Sequence, residues 1–554
     1  MTSHIRSPFV RAILSGILLG VAFPQVLPLG LAGLFSFIGF VPLLLAVIDD
    51  GRATRRWKIV AWFYVTFVIY HGLTNWWVCS WQERTDPYLF ASGIALWLFH
   101  PFFLMLPFVA LASVRRRLGT GWMLVMAPLA ISGFEWLHGQ TDASYPWLTT
   151  GCSLVHTPFA QIADTIGVYG LSFLIACANV AVVYLLLQRT AGRKVVLPAL
   201  LLGMLFIGWY GLGVWKQFNQ PFPKGGMLSV MIIQPNEDPW DKWADTRAQV
   251  HTHQQLTDSM RRRGQGADVV VWSETAIPFT IRDPRFMPEW DVLRQWVDTS
   301  SFSLLAGYAD IMVYAPGQAP PSSRQSRVDS TVRFDAFNAA MMVNAGKVDV
   351  PVHRKSMLTP FAERLPFADQ LTFAMSWIEW GVGISAWGKG QTRSPLPVVR
   401  TNDTLARIGT IICIESIYPE VARDLVNNGS DILCVITNDA WYNGTWGPEQ
   451  HYDIARMRAI EQRRNVIRCA NSGVSGIIRS DGSEDPHPAI SPMTQGAVVV
   501  RAQRSDERTL YARIGDPLPI LGLLLTLLAV ISARIPLILR NLPFRFTSIE
   551  NQSL

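Results

Sequence analysis

The sequence predicts a multi-pass α-helical membrane protein that also carries a soluble α/β domain. Three observations predict this fold class. Only 16% of the 554 residues are charged, whereas soluble proteins average roughly 25%. Long apolar segments occur near both ends of the chain, and the region between them alternates short apolar runs with polar stretches. The composition excludes a disordered chain, a collagen-like chain and a small disulfide-stabilised domain.

Apolar segments of about the length that a spanning helix needs, roughly 20 residues, account for the membrane part. Eight segments qualify, or nearly qualify: residues 9–24, 29–48, 57–78, 88–113, 121–137, 165–187, 195–212 and 517–535. The first could be misread as a signal peptide, but a second apolar run follows closely, so we expect an uncleaved helix. We expect seven helices over 1–216, an inserted domain over 227–512, an eighth helix over 517–535 and a tail over 536–554.

The inserted region contains short runs rich in β-branched residues. Polar, helix-compatible stretches separate these runs, which is typical of buried strands in an α/β domain. The clearest runs are Ser229–Ile233, Ala267–Trp272, Ile408–Cys413 and Ile432–Ile436. A stretch rich in Pro, Ser and Gln over 316–326 predicts an inserted, flexible surface loop between two strands.

Basic residues concentrate in alternate loops of the membrane part, and such loops face the cytoplasm. The basic residues in question are Arg52, Arg55, Arg56, Lys58, Arg115–Arg117, Arg189, Arg193, Lys194, Arg534, Arg540 and Arg545. Both termini are therefore predicted to be cytoplasmic, with the α/β domain on the opposite face. These residues also account for much of the net charge of +7, and no recognition motif accompanies them, so we expect no nucleic-acid partner.

The six cysteines form no C-x-x-C pair and have no Cys/His spacing suited to zinc. We therefore expect no metal and no cofactor. Cys79 and Cys152 would both lie near the outer face of the membrane part. A disulfide between them is one possibility, and two small buried hydrophobic side chains are the other.

Cys413 differs from the other cysteines because of its position. It ends an apolar strand and precedes a helix-compatible stretch, a corner where α/β folds place active sites. A nucleophilic thiol needs a base or a cation beside it. Glu274 follows the run 269–272, and Lys355 lies eight residues before Glu363, so these segments offer both groups.

The triple Glu274, Lys355 and Cys413 resembles the Glu-Lys-Cys triad of the nitrilase superfamily. With seven helices before the domain and one after it, the chain resembles the apolipoprotein N-acyltransferase family over nearly its whole length. Further matching pieces are residues 145–148, 234–236, 360–363, 437–442, 450–451, 455–461, 471–474 and 511–516. Ser273, Ala362 and Ile414 depart from the family's usual residues but remove no titratable group.

The resemblance implies a nitrilase-like α-β-β-α sandwich in the periplasm, inserted between helices seven and eight of a bacterial inner-membrane protein. It implies transfer of a fatty acyl chain from a phospholipid to the α-amino group of a lipoprotein's diacylglyceryl-modified N-terminal Cys. We expect phosphatidylethanolamine to be the acyl donor. Cys413 would be the nucleophile, Glu274 the proton acceptor and Lys355 the oxyanion stabiliser. We expect the enzyme to be a monomer.

Other residues have a supporting role in the family or an ordinary structural alternative. Glu363 matches a residue that supports the Lys and the first Glu, and Glu415 matches one that lies beside the nucleophile and orients the Lys. Each could instead pair with a nearby Arg, such as Arg364 beside Glu363. Trp441 matches a substrate-contacting Trp, and we expect Tyr442 to contact substrate with it. Two aromatic and Gly-rich segments, 375–387 and 441–446, are typical of mobile interfacial loops, with a buried aromatic cluster as the alternative.

Two other functions compete with acyl transfer to an amine. A membrane-tethered amidase of the nitrilase type would use the same triad and pass the acyl group to water. A catalytically inactive scaffold would keep the fold for partner binding, but it would have no reason to keep Glu274, Lys355 and Cys413 together.

Overall fold

The structure is a computed structural model that describes most of the chain. It describes residues 7–27, 30–49, 56–81, 87–219, 225–241, 246–281, 283–326, 329–373, 387–401, 403–485 and 489–532. The expected tail over 536–554 and residues 375–386 of the first aromatic segment lie outside these residues.

Helices overlap every one of the predicted apolar segments. They are α1 (Pro8–Ala22), α2 (Ser36–Gly39), α3 (Val41–Asp49), α4 (Arg56–Thr74), α5 (Pro87–Leu104), α6 (Leu106–Leu118), α7 (Thr120–Gly139), α8 (Ala163–Thr190), α9 (Val196–Phe218) and, far along the chain, α15 (Pro517–Ser532). We call α1–α9 and α15 the helical region.

Four stretches among the described residues are helical, long and apolar enough to cross a membrane: Ala32–Asp49, Leu89–Leu118, Pro158–Thr190 and Val196–Phe218. α1 and α15 are apolar but shorter. A membrane protein is therefore supported, while the total of eight spanning helices stays a prediction.

Proline divides two segments that the sequence predicts as single helices. The segment 88–113 forms α5 and α6 with Met105 between them, and Pro107 stands in the first turn of α6. The segment 29–48 forms α2 and α3 with Phe40 between them, and Pro42 stands at the start of α3. Proline lacks the N–H that a continuous helix would need at these points, so hydrophobicity alone does not reveal either division.

The region after α9 forms two β-sheets, as the β-rich runs predict. In the described residues the first sheet has the strand order β12-β1-β2-β3-β5-β4, with β6 also paired to β5, and the second has the order β11-β10-β9-β8-β7. The strands are β1 (Met227–Gln234), β2 (Val269–Val271), β3 (Ser303–Val313), β4 (Arg324–Gln325), β5 (Arg333–Val343), β6 (Val352–Arg354), β7 (Leu396–Arg400), β8 (Asp403–Ile412), β9 (Ile432–Thr437), β10 (Val466–Ala470), β11 (Gly476–Ile478) and β12 (Gly496–Gln503).

The two sheets pack face to face with helices outside them. Ile232 of the first sheet and Ile408 of the second belong to one buried core between the sheets. The helices of this part are α10 (Thr246–Arg262), α11 (Met287–Ser300), α12 (Pro419–Asn427), α13 (Gly447–Gln462) and α14 (Leu510–Ile514). α10 and α11 cover the outer face of the first sheet, and α12 and α13 cover that of the second. The sandwich is therefore the α-β-β-α arrangement that the sequence predicts.

The helical region and the second sheet share one hydrophobic core. Val421 of α12 and Ile454 of α13 are buried in the same cluster as Phe63, Ala127 and Leu171 of the helical region. The helices α12 and α13, which cover the outer face of this sheet, therefore pack against the helical region rather than against water.

The stretch over 316–326 is not wholly the flexible surface loop that its composition predicts. It lies between β3 and β5, as expected, but its end forms β4 and pairs with β5. Ser322 is buried, and its hydroxyl accepts a hydrogen bond from Arg364 Nη2 at 2.6 Å. These polar contacts order the segment although its composition resembles that of a linker.

Candidate active site

The predicted catalytic residues each follow the end of a strand. Glu274 comes shortly after β2, Lys355 directly after β6, and Cys413 directly after β8. β2 and β6 belong to the first sheet and β8 to the second. The three side chains meet where strands from both sheets end at one edge of the sandwich.

Lys355 lies between two carboxylates. Its Nζ is 2.9 Å from Glu363 Oε1 and 3.3 Å from Glu274 Oε1. Its side chain is only 1% exposed. Burial lowers the pKa of Lys355, but the charges of Glu363 and Glu274 outweigh burial, and the net pKa is raised above its ordinary value. The ammonium is therefore charged at neutral pH.

Two asparagines hold the Glu274 carboxylate in place. Asn338 Nδ2, in the middle of β5, donates to Glu274 Oε1 at 2.7 Å and to Glu363 Oε1 at 3.1 Å. The backbone N–H of Asn438, just after β9, donates to Glu274 Oε2 at 2.9 Å. The segment also lies close to Gly307 of β3, where a Cβ would be 2.4 Å from the backbone nitrogen of Thr275. Glu274 is thus fixed from three strands.

Glu415 belongs to a separate, fully buried cluster. Its Oε1 accepts hydrogen bonds from the backbone N–H and the hydroxyl of Ser356, both at 2.7 Å. Its Oε2 accepts from the N–H of Ile412 at 2.8 Å and lies 3.5 Å from His353 Nε2. Burial raises the pKa of Glu415, but His353 and these N–H groups outweigh burial and lower it to about 2. Glu415 therefore joins the residue after Lys355 to the residue before Cys413.

Cys413, the predicted nucleophile, lies on a strained turn. Cys413 has a φ of +52° and begins the 3₁₀ turn Cys413–Ile417. A left-handed conformation in a non-glycine residue costs on the order of 1–3 kcal/mol and is common at active sites. Burial raises the pKa of the Cys413 thiol, Glu274 raises it further, and Lys355 opposes them with a smaller effect. The resting thiol is neutral, so it needs a base to become a nucleophile.

Two family models match separate parts of the chain. Residues 15–181 match the family model described as apolipoprotein N-acyltransferase N-terminal domain, and residues 229–514 match the carbon-nitrogen hydrolase model. The apolipoprotein N-acyltransferase of Chlorobaculum tepidum is 32% identical over 484 residues, which cover 85% of this chain and 86% of that protein. The chain belongs to the apolipoprotein N-acyltransferase family.

Other similar proteins include a further full-length relative and a solved structure. The apolipoprotein N-acyltransferase of Geobacter metallireducens is 31% identical over 529 residues and covers 92% of each chain. A carbon-nitrogen hydrolase from Helicobacter pylori aligns with 52% of this chain and 92% of its own length, at 14% identity and a TM-score of 0.34.

The structure places the family's supporting carboxylates in specific contacts. Glu363 contacts Lys355 and Asn338, whereas Arg364 beside it contacts Asp369, Ser322 and the Trp387 carbonyl. Glu415 likewise contacts His353 and backbone N–H groups rather than an Arg. Within the described residues neither carboxylate forms an ion pair with an Arg, so the alternative of an ordinary Arg pair is wrong for both.

Trp441 and Tyr442 lie on the 3₁₀ turn Asp439–Tyr442 after β9. The Trp441 ring packs edge-on against Trp240 at 5.1 Å, and the Tyr442 ring packs against Trp77 of the helical region at 4.7 Å. Both side chains are partly exposed. Tyr442 therefore lies at the boundary with the helical region, and Trp441 packs within the sandwich domain. A substrate contact for either residue stays a prediction.

Sequence reasoning missed the two asparagines that hold Glu274. Asn338 is the one polar residue in the buried run 337–343 of β5, and a polar residue at such a position is a usable signal. Asn438 acts through its backbone, so its side chain carries no such signal. The disulfide that the sequence left open between Cys79 and Cys152 is not formed, since both are free thiols.

Proposed function

We propose that this chain transfers a fatty acyl chain from a phospholipid to the α-amino group of the diacylglyceryl-modified N-terminal Cys of apolipoproteins. The observation that carries the proposal is the arrangement of Glu274, Lys355 and Cys413 in one buried site. Family membership supports the substrate class, because relatives across the whole length bear the name apolipoprotein N-acyltransferase. No cofactor enters the proposed reaction.

The first half of the proposed reaction forms a thioester. Glu274 accepts the proton from the Cys413 thiol as Sγ attacks the ester carbonyl carbon of the phospholipid. Negative charge then develops on the carbonyl oxygen, and the Lys355 ammonium stabilises it in a site from which water is largely excluded. The C–O ester bond breaks, and Glu274 returns the proton to the departing alkoxide. The products are acyl-Cys413 and a lysophospholipid.

The second half of the reaction discharges the acyl group onto the amine. The lipoprotein α-amino group attacks the thioester carbonyl while Glu274 accepts one of its protons. The C–S bond breaks, an amide forms, and the Cys413 sulfur regains a proton from Glu274. Glu363 and Glu415 support this chemistry by holding Lys355 and the turn before Cys413, through the contacts described above.

The substrates are membrane lipids, so the site has to lie close to the bilayer surface. Tyr442 packs on Trp77, and the second sheet shares a core with the helical region, which supports a mouth at this boundary. Trp441 and Tyr442 are proposed to contact the acyl chain or the lipoprotein there. The large aromatic rings suit an interface of this kind.

The proposed topology is that of an inner-membrane protein with its catalytic domain in the periplasm. Alternating basic loops support cytoplasmic termini, with seven helices over 1–216, the catalytic domain over 227–512 and the eighth helix over 517–535. Phosphatidylethanolamine is the proposed donor and a monomer the proposed functional unit.

The test follows a labelled acyl chain. Purified enzyme in detergent is incubated with phosphatidylethanolamine labelled in its acyl chains and with a diacylglyceryl-Cys peptide. We expect the label to appear as an amide on the peptide, and an N-acetylated peptide to receive none because its amine is blocked. Release of the label as free fatty acid at the same rate with and without peptide would instead identify a hydrolase.

A further inference from the structure

Gln450 and His451 are neighbours near the start of α13, and both contact Trp147, which lies between α7 and α8. Gln450 faces the helical region. Its Oε1 accepts hydrogen bonds from the indole N–H groups of Trp77 and Trp147, each at 3.1 Å. Its Nε2 donates to the carbonyls of Pro24 and Thr74, each also at 3.1 Å. The oxygen and the nitrogen of this fully buried amide therefore both form hydrogen bonds with the helical region.

The start of α13 also makes a close approach to the helical region. Gly447 lies against the Trp77 ring, where a Cβ would come within 3.0 Å of the indole. The Trp446 indole N–H donates to the Thr74 carbonyl at 3.2 Å. The position of this helix end is thus defined by the membrane part rather than by the sandwich alone.

His451 packs against Trp147 at 5.4 Å between ring centroids and also contacts the turn that carries Cys413. Its Nδ1 lies 2.9 Å from Asp439 Oδ1, and its Nε2 lies 2.7 Å from Ser416 Oγ and 3.1 Å from the backbone oxygen of Cys413. The ring is 3% exposed. A carboxylate only accepts hydrogen bonds, so Nδ1 donates to Asp439. Nε2 donates to the Cys413 carbonyl when it also carries a proton, and it accepts from the Ser416 hydroxyl when it does not.

Asp439 is itself fixed in this position. Arg468 donates to its Oδ2, and Thr437 donates to its Oδ1 at 2.9 Å. Burial raises the pKa of Asp439, but Arg468 and His451 outweigh burial and lower it to about 2. The carboxylate is charged at neutral pH and orients the imidazole.

We propose that His451 is a positioning residue that holds the strained turn of Cys413, and that Gln450 makes this hold depend on docking of the catalytic domain to the helical region. The left-handed φ of Cys413 requires surrounding contacts to persist. His451 supplies two of them, to Cys413 itself and to Ser416 in the same turn. The expected effect of His451 on acyl transfer rests on the proposed function. Its expected effect on the reactivity of the Cys413 thiol does not.

The test compares graded variants of the turn and its support. His451→Phe keeps a ring of similar size but removes the contacts with Cys413 and Ser416. Ser416→Ala removes only the contact with Ser416. His451→Gln keeps a hydrogen-bond donor and an acceptor. His251→Phe is the matched control, since His251 is exposed on α10 and distant from the site in sequence. Each full-length protein is purified in detergent, and its thermal midpoint Tm is measured first.

Two readouts separate positioning from a merely structural role. One is the single-turnover rate constant for acyl-enzyme formation with phosphatidylethanolamine. It is determined separately from the lipid concentration that gives half the maximal rate. The other is the rate at which iodoacetamide alkylates Cys413 without lipid, followed by peptide mass. We expect His451→Phe to lower the acylation rate constant about 100-fold, because a displacement of about 1 Å has an effect of that size. Its half-saturating lipid concentration should stay within about twofold.

Smaller changes should follow in order. Ser416→Ala should lower acylation about fivefold, the value of one hydrogen bond, and His451→Gln should recover most of the wild-type rate. Gln450→Leu, which does not touch the Cys413 turn, should also lower the acylation rate constant and change the alkylation rate.

Acylation and alkylation at the wild-type rate in His451→Phe would overturn the inference. If that variant does not fold, acylation and alkylation at the wild-type rate in Ser416→Ala would overturn it. If the wild-type enzyme forms no acyl-enzyme, the proposed function fails, while the alkylation series still decides this inference.

Discussion

Two buried carboxylate clusters lie on either side of the Lys355–Ser356 peptide, and they are built differently. Around Lys355, Glu274 and Glu363 share one ammonium and a side-chain amide, and both carboxylates remain slightly exposed, at 5% and 9%. Around Ser356, Glu415 is completely buried and is held mainly by backbone N–H groups. The first cluster presents charge to the thiol, whereas the second joins two loops.

This difference separates a reacting group from a supporting one better than residue type does. At the first cluster, burial and then the charge of Glu274 raise the pKa of the Cys413 thiol more than Lys355 lowers it, so a base is needed. In the second cluster, the hydrogen bonds that lower the pKa of Glu415 to about 2 leave no proton to exchange near neutral pH. Substitutions in each cluster should therefore fail in different ways.

Glu274→Gln should have the largest effect on chemistry. An amide has the size of Glu274 but cannot accept the thiol proton, so we expect acyl-enzyme formation to slow roughly 100- to 10,000-fold. The amide can accept at only one of the two oxygens that now accept from Asn338 Nδ2 and from the Asn438 N–H, so Tm should also fall. Rapid-quench mass spectrometry of the acyl-enzyme measures this rate. Glu363→Gln, which leaves Glu274 and its proton acceptance intact, is the matched control and should slow the step only about tenfold. Equal losses in both variants would erase the distinction between base and support.

Lys355→Met should have the next largest effect. It removes the cation from the oxyanion position at similar length, and loss of one such stabilising group slows reactions roughly 100- to 1,000-fold. The same acylation assay measures it, and Lys389→Met serves as control because Lys389 pairs with Asp142 at the surface. An acylation rate in Lys355→Met within threefold of wild type would show that Lys355 is an ordinary ion pair.

Glu415→Gln should act chiefly on stability. The folded-state pKa of Glu415 is about 2 and its ordinary value 4.5, so the charged form contributes about 3 kcal/mol, present above pH ~4.5 and lost as the pH falls towards 2. The wild-type Tm should therefore fall more steeply than that of Glu415→Gln between these pH values. Parallel profiles of Tm against pH would contradict the assignment of Glu415 to the supporting cluster.

Much of the fold could be predicted from the sequence because its signals are local. Runs such as Ser229–Ile233 and Ile432–Ile436 are apolar, β-branched and bounded by polar stretches, and both form buried strands. Helices occur in each predicted apolar segment, but their divisions at Met105 and Phe40 depend on the backbone chemistry of nearby proline, which hydropathy does not register.

The sequence predicts which three residues meet in the candidate site, but not the partners that hold them; their catalytic roles stay a proposal. Glu274, Lys355 and Cys413 are recognisable because each follows a strand and carries a distinctive functional group. Their partners come from distant segments. Asn338 reaches Glu274 across 64 positions of sequence, and Gln450 reaches Trp77 across 373. Such pairings depend on how the sheets and helices dock, which one sequence does not state.

The central claim is that Cys413 takes an acyl chain from a phospholipid. Intact-mass measurement of the purified enzyme after incubation with phosphatidylethanolamine tests it most directly. We predict that the wild-type protein gains the mass of one fatty acyl group, that hydroxylamine removes this mass as it does from a thioester, and that Cys413→Ala gains none. An unmodified wild-type protein, or the same gain in Cys413→Ala, would contradict the claim.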